Sequence, residues 1–341
     1  MKPLFCTNDI HLGVNRTGGT TPASAFALRK ATLESFRNLL DMCPGDTIIN
    51  GDTFDAKNIN LADLWEAVKV VSDWLTGEDY KLYLPYGNHC ISRNSEEVAS
   101  FDLFCNILVE MFPSQVFPIT QPTYIKEHDA YVICHLQNQD LFDAALKQVP
   151  ECTYVFLHCN YNNKFAVQAD HSLNITPEQA LSLPCKRIIF GHEHHGRKEL
   201  GGKVVVVGNQ VPTSISDCLG NKTKYMLKIS DTLEFIPTWQ AAGDFAEMHW
   251  SDLKDTGARF IRAVGEAGSA EAGDAVAAVS RFRSKSTALV ITNAVKVEGA
   301  ADAQELVLNA EEIRAFDVRS ALMEILTIEE RSVIEGVLTA Q

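Results

Sequence analysis

Over the first 240 residues, short apolar runs alternate with longer amphipathic stretches. Leu4-Phe5-Cys6, Thr47-Ile48-Ile49, Lys81-Leu82-Tyr83-Leu84, Tyr154-Val155-Phe156-Leu157 and Arg187-Ile188-Ile189-Phe190 read as buried strands, apolar on both faces. Val204 to Val207 reads as another, and Tyr225–Ile229 followed by Leu233–Ile236 reads as a hairpin turning at Ser230-Asp231. Thr21-Pro22 opens a helical pattern through Leu28, Thr32, Phe36, Leu39 and Leu40, and Leu61 to Leu75 predicts a second helix. Strands alternating with helices predict an α/β fold. After Arg259 the pattern restarts: Phe260 to Val264 as a strand, Ala270 to Phe282 as a helix, then Leu289, Ile291, Val295 and Val297 alternating as one further strand. Two amphipathic helices close the chain, one marked by Val318, Ala321, Leu322 and Ile325, the other opened by the capping box Thr327-Ile328-Glu329-Glu330. Three segments are therefore expected: 1–240, 245–310 and 311–341.

The polar residues that follow the strand-like runs change this from a fold pattern into a chemical one. At or just beyond the five runs stand Asp9-Ile10-His11, Gly51-Asp52-Thr53-Phe54-Asp55, Gly87-Asn88-His89, His158 and Gly191-His192-Glu193-His194. Strands of this kind present their carboxyl ends on one rim, so the clusters are expected to converge. Carboxylates and imidazoles suit manganese, iron or zinc better than calcium or magnesium, and a pair of such ions activates water beside a phosphate ester. Asp9 and His11 are expected to face one ion, and Asp52, with two oxygens, to bridge two. Asn88 offers an amide oxygen, and His158, His192 and His194 complete the ligand set, the last two by shared strand parity with Glu193 pointing away. His89 is left without a metal, beside the site, as a proton donor or transition-state stabiliser. His128, His135, His171, His195 and His249 read as ordinary histidines, with His195 the nearest to an exception.

Composition sets the context. The 341 residues exceed one average domain, and 46% apolar against 22% charged residues fits a soluble globular chain. No apolar stretch spans a bilayer, and the opening Leu4-Phe5-Cys6 is too short for a secretory signal, so a cytoplasmic location without membrane attachment is expected. The nine cysteines include no Cys-x-x-Cys pair and read as reduced thiols. A net charge of −14 works against a sequence-independent grip on nucleic acid, although local Lys and Arg groups can form a positive cleft on an acidic protein.

In this order the five clusters resemble the calcineurin-like metallophosphoesterase superfamily. The resemblance implies a sandwich of two mixed β-sheets flanked by helices. It also implies two divalent ions, manganese foremost with iron or zinc as alternatives: one held by Asp9, His11, Asp52 and His194, the other by Asp52, Asn88, His158 and His192. His11-Leu12-Gly13 and Gly51-Asp52-Thr53-Phe54-Asp55 are similar to SbcD-type DNA exonuclease subunits, those of large tailed phages included. Serine/threonine phosphatases of the superfamily carry arginine where this chain has Ala56. The unit after Arg259 resembles the capping domain that orients DNA, and the terminal helices resemble the region that binds the coiled coil of an SbcC-type ATPase. DNA, such an ATPase and a second copy of the chain are the expected partners, in the host cytoplasm if the source is a phage.

The implied activity is 3′–5′ exonuclease cleavage, with endonucleolytic nicking at the same site, in DNA repair, recombination or replication. Two other functions fit the same clusters. One is a small-molecule phosphatase or cyclic-nucleotide phosphodiesterase, which the acidic net charge favours; the other is a regulatory module that keeps its metals structurally. The chain departs from the family at Cys90, where aspartate or glutamate usually follows Gly-Asn-His; a neutral thiol orients His89 poorly.

Overall fold

The computed structural model describes residues 3–14, 18–90, 98–163 and 172–297. In the first half β1 (Leu4–Thr7), β2 (Asp46–Ile49), β3 (Leu82–Pro85) and β4 (Val116–Ile119) run parallel, joined through α1 (Pro22–Asp41), α2 (Leu61–Leu75) and α3 (Ser100–Met111). Helix α1 begins where Thr21 accepts from the Ser24 amide and Pro22 occupies the first turn, and it buries the stripe read from the sequence, Leu28, Thr32, Phe36, Leu39 and Leu40. The chain continues through β5 (Thr123–Ile125), β6 (Ala130–Ile133), α4 (Gln139–Leu146), β7 (Cys152–His158), α5 (Pro177–Ser182), β8 (Cys185–Gly191), β9 (Arg197–Glu199) and β10 (Val204–Val206). Helix α6 (Ile215–Gly220) then leads into the hairpin β11 (Thr223–Ile229) and β12 (Leu233–Gln240).

These strands form two six-stranded mixed sheets, in the orders β12-β11-β1-β2-β3-β4 and β9-β10-β8-β7-β6-β5. Strand alternation explains the layering. Leu4, Cys6, Ile48 and Tyr83 face Tyr154, Phe156, Ile189 and Val205 in the core between the sheets. The intervening Phe5, Ile49, Leu82 and Leu84 pack under α1, α2 and α3, and Val155, Leu157, Ile188 and Phe190 pack with Phe142, Leu146 and Ala180. A strand buried on both faces must be apolar throughout, which is why these segments appear as unbroken runs. The expected sandwich of two mixed sheets flanked by helices is the observed architecture.

Beyond β12 lies a small parallel sheet of β13 (Phe245–His249), β14 (Phe260–Val264) and β15 (Val290–Asn293), with α7 (Ala272–Arg283) between the last two. Two expectations change here. Phe245–His249 was not legible as a strand, because Ala246 and Glu247 interrupt its apolar pattern. The strand expected to run on to Val297 stops at Asn293; Ala294 turns to bond Ala263, and Lys296–Val297 pair separately with Glu266–Ala267. Phe260, Leu289 and Val290 pack against Val14, Leu28 and Trp239, joining this sheet to the sandwich. Arg259 clamps it further through two bonds to Asp244 of 2.6 and 2.7 Å. Residues 298–310 of the second expected segment, and the helices expected within 311–341, lie outside the described residues. Among the described residues no helix is long and apolar enough to cross a membrane. All nine cysteines are free thiols, as their spacing suggested.

Candidate metal centre

Parallel strands from both sheets end on one rim. Asp9 and His11 follow β1, Asp52 follows β2, and Asn88 and His89 follow β3; from the second sheet, His158 ends β7 and His192 and His194 follow β8. The loops bind one another: Asp9 N donates to Gly51 O at 3.1 Å, His11 N to Asp52 O at 3.1 Å, and Asn50 Nδ2 reaches Leu157 O on the other sheet at 3.0 Å. Asp9, His11, Asp52 and His192 all adopt positive φ, at 50°, 54°, 45° and 81°. Such angles cost non-glycine residues about 1 kcal/mol or more each and tend to cluster at functional sites. Two glycines make the approach feasible. A Cβ on Gly51 (φ +88°) would stand 2.0 Å from His158 Nδ1, and one on Gly87 would stand 2.1 Å from Asp52 Oδ1.

The structure brings all eight residues singled out in the sequence to this rim. Three groups have ligand atoms close enough to share an ion: Asp9, His11 and His194; His11, Asp52 and His89; and Asp52, His158 and His192. Asn88 sits inside the third, its Oδ1 3.0 Å from His158 Nε2 and 2.9 Å from His192 Nδ1, while Asp52 Oδ2 lies 3.3 Å from His158 Nε2. In the first group, His11 Nε2 and His194 Nε2 face each other at 3.0 Å. Ligands about 2.1 Å from one cation stand about 3 Å apart at right angles, so the donor set and its spacing fit divalent ions. Strand parity, however, does not aim His192 and His194: β8 ends at Gly191, and the left-handed turn at His192 sets both. Glu193 does point away, accepting from Tyr161 N at 2.7 Å and pairing with Arg197.

Behind these atoms a second set fixes ring orientation. His158 Nδ1 donates to Asn50 O at 2.8 Å, His194 Nδ1 to Asp217 Oδ1 at 2.7 Å, and His89 Nδ1 to Asp55 O at 2.5 Å. Each leaves Nε2 directed inward, the arrangement that raises ligand basicity. Asp55 Oδ1 stands 3.2 Å from the buried His11 Nδ1 without completing a hydrogen bond. His192 Nε2 meets the Asn160 amide at 3.1 Å, and the His192 backbone N–H donates to both oxygens of Asp9. Burial would raise the Asp52 carboxyl, but His158, His11 and His89 outweigh it and hold the group well below the carboxylate range. Asp217 is held low in the same way, His194 overcoming its burial. For His158, burial acts downward and Asp52 more than reverses it, so the imidazole is pushed up to about 9.

Asp217, Asn160 and Asn50 were not anticipated from the sequence: Asn50 and Asn160 adjoin the motifs, but their roles come from contacts with distant residues, and Asp217 reaches the site from α6, which has no local signature. Among the spare histidines, His195 turns to Ser216 O at 3.1 Å, while His128 pairs with Asp46 in the interior. His135 is the one beside the site: it follows β6, and its ring stands edge-on to His158 at 6.4 Å. Burial, then the His158 charge, keeps it neutral, pushed down to about 4. His171 lies outside the described residues. Cys90 is 1% exposed within the apolar core under the first sheet. Burial and then the Asp52 charge push its thiol up, so it is uncharged and offers His89 no carboxylate.

No family model and no curated protein matches the chain. Two solved structures are similar to it: TT1561 of Thermus thermophilus, with a TM-score of 0.41 and 12% identity over 70% of this chain and 99% of that one, and a structure described as a novel archaeal phosphodiesterase, with a TM-score of 0.34 and 10% identity over 69% and 99%.

Proposed function

We propose that this chain is a binuclear metal-dependent phosphodiesterase acting on DNA from a 3′ end. The observation that carries the hydrolase reading is the overlap of the three His/Asp groups. His11 and Asp52 each belong to two of them, so two cations held by Asp9, His11, Asp52, Asn88, His158, His192 and His194 would lie side by side. When bound, such cations supply an acidified water and neutralise phosphate oxygens. The chain's own residues do the remainder. Asp52, ionised and 1% exposed, is placed between the two groups, and its Oδ1 is fixed by the His89 amide at 3.0 Å. The His89 side chain is 37% exposed, and its Nδ1–H bond to Asp55 O turns Nε2 toward the site, where the ring in its doubly protonated form would give the Nε2 proton to the leaving 3′ oxygen and return to the neutral imidazole.

DNA as substrate rests on the resemblance of His11-Leu12-Gly13 and Gly51-Asp52-Thr53-Phe54-Asp55 to SbcD-type subunits, with Ala56 against a protein phosphatase. The same resemblance supports manganese as the metal and an SbcC-type ATPase as the partner of residues 311–341. The net charge of −14 favours a small phosphate ester as the second reading. The deciding experiment is hydrolysis of 3′- and 5′-labelled single-stranded and duplex DNA with manganese, beside an Asp52→Ala control. Manganese-dependent loss of nucleotides from the 3′ end is expected. Turnover of a chromogenic phosphate ester with intact DNA would favour the second reading, and stoichiometric metal with no hydrolysis of either would leave a structural metal site.

A further inference from the structure

Two adjoining cavities open where the edges of the two sheets meet, on the far side of the His194 turn. The first, about 400 Å³, lies between β9–β10 and β11–β12 and reaches His194; the second, about 450 Å³, continues along the same edge toward the start of β8. They share one wall made by Lys198 and Phe235, with the Lys198 ammonium held over the ring at 4.1 Å. Cation–π contact of this kind keeps the charge in place at the junction.

The charge of this edge is the reverse of the chain's. The whole protein carries 44 acidic against 30 basic residues. The two cavities are lined by Lys186, Arg187, Arg197, Lys198 and Lys224 and by a single carboxylate, Asp231. Arg197 is neutralised by Glu193 at 2.7 Å. Lys224, 3% exposed, donates to Asn209 Oδ1 and, at 3.3 Å, to the carbonyl of His194. Among the described residues no ion pair forms at Lys186, Arg187 or Lys198. The nearby Asp217 carboxylate offsets the charge of the buried Lys224, so the charge left for an outside anion is that of Lys186, Arg187 and Lys198, which repel one another along one edge until an anion joins them.

Geometry narrows the class of anion. From Lys186 to Gly191 a strand rises about 16 Å. That is a few nucleotides of single strand, at the lower end of the site size of a nucleic-acid groove. Recessed clefts combining cations with aromatic rings, here Phe235, Tyr225 and Tyr154, accept a flexible strand.

We propose that this sheet edge is a track for single-stranded nucleic acid, read through its phosphates and leading to the metal centre behind His194. The identity of the strand as DNA rests on the nuclease reading; its binding does not. The test uses the full chain carrying Asp52→Ala, with chelator present, and follows a short labelled single-stranded oligodeoxynucleotide by fluorescence anisotropy across a salt series. Three phosphate contacts give a log–log salt slope of about −2. The triple variant Lys186→Ala, Arg187→Ala and Lys198→Ala should lose about tenfold in affinity at low salt and bring the slope toward zero. Lys198→Glu, a single exposed change, should weaken binding in the same direction, and Lys147→Ala, remote from the edge, should not. Unchanged affinity in the triple variant overturns the track, as does competition by inorganic phosphate at the oligonucleotide's own concentration, which would make the cavities a small-anion site. A strand bound through these residues but never cut by the manganese-loaded wild type would remove the nuclease reading and leave the track. Cutting with binding indifferent to these residues would do the opposite.

Discussion

His158 and His194 offer the same Nε2 atom to the same site, yet they are held in different ways. His158 is fully buried and bonded to the main-chain carbonyl of Asn50; His194 is 23% exposed and bonded to the carboxylate of Asp217. His89, more exposed still, stands on the same outer flank as His194 beside His11, with the ring centroids of His11 and His89 5.2 Å apart. Behind His158 the fold itself is the support, because no side-chain substitution removes a backbone carbonyl. Behind His194 the support is a replaceable side chain, whereas the His89 Nδ1 also meets a main-chain carbonyl. Changes inside should therefore damage folding and metal binding together, whereas changes outside should reach metal binding or catalysis alone.

The largest effect is expected from Gly51→Ala. The added Cβ meets His158 Nδ1 at 2.0 Å, and φ is +88°, so overpacking and left-handed strain combine to about 3 kcal/mol. Chemical denaturation should show that loss, with metal binding abolished in whatever remains folded; a stable, metal-loaded variant would break the inner half of the comparison.

Next is the pH dependence of metal binding. In the metal-free protein His158 is raised above its ordinary 6.5 to about 9, so its charge stabilises the fold fully below pH 6.5 and that contribution fades as pH rises through 9. Asp52, depressed, contributes above its ordinary 3.8 and loses that contribution only on strong acidification. A metal must displace the His158 proton, so affinity should climb by up to about tenfold per pH unit as the pH rises toward 9 and level off above it. Calorimetry in buffers of different ionisation enthalpy should register proton release, and a pH-independent affinity would refute the assignment.

Asp217→Asn tests the outer flank. Metal affinity should fall about 10–100-fold, read by titration with manganese, while the unfolding midpoint moves far less than in Gly51→Ala. Smallest of all should be Cys90→Ser. The thiol is uncharged and turned into the core, so turnover should stay within about threefold, with the cost confined to a modest loss of stability from burying a hydroxyl.

Much of this was legible in the sequence, for local reasons. A strand covered on both faces has to be apolar at every position, so Ile48-Ile49 and Ile188-Ile189-Phe190 announce themselves. Helix α1 is written in its Thr21-Pro22 start and its buried stripe. The candidate ligands stood out because several chemically alike groups followed such runs directly. The third strand of the small sheet was hidden, since Phe245–His249 becomes a strand by pairing with β14 rather than by its own pattern.

The sequence by itself determined the strand segments and the residue types able to hold metal, because these depend on neighbours along the chain. Only the tertiary structure decided which groups meet: Asp217 behind His194, Asn88 between His158 and His192, His135 beside the site in place of His195, and Lys198 over Phe235 where two sheet edges converge. Those pairings join residues 23 to more than 100 positions apart. No local periodicity encodes such contacts; they follow from how two sheets stack and where their strands end.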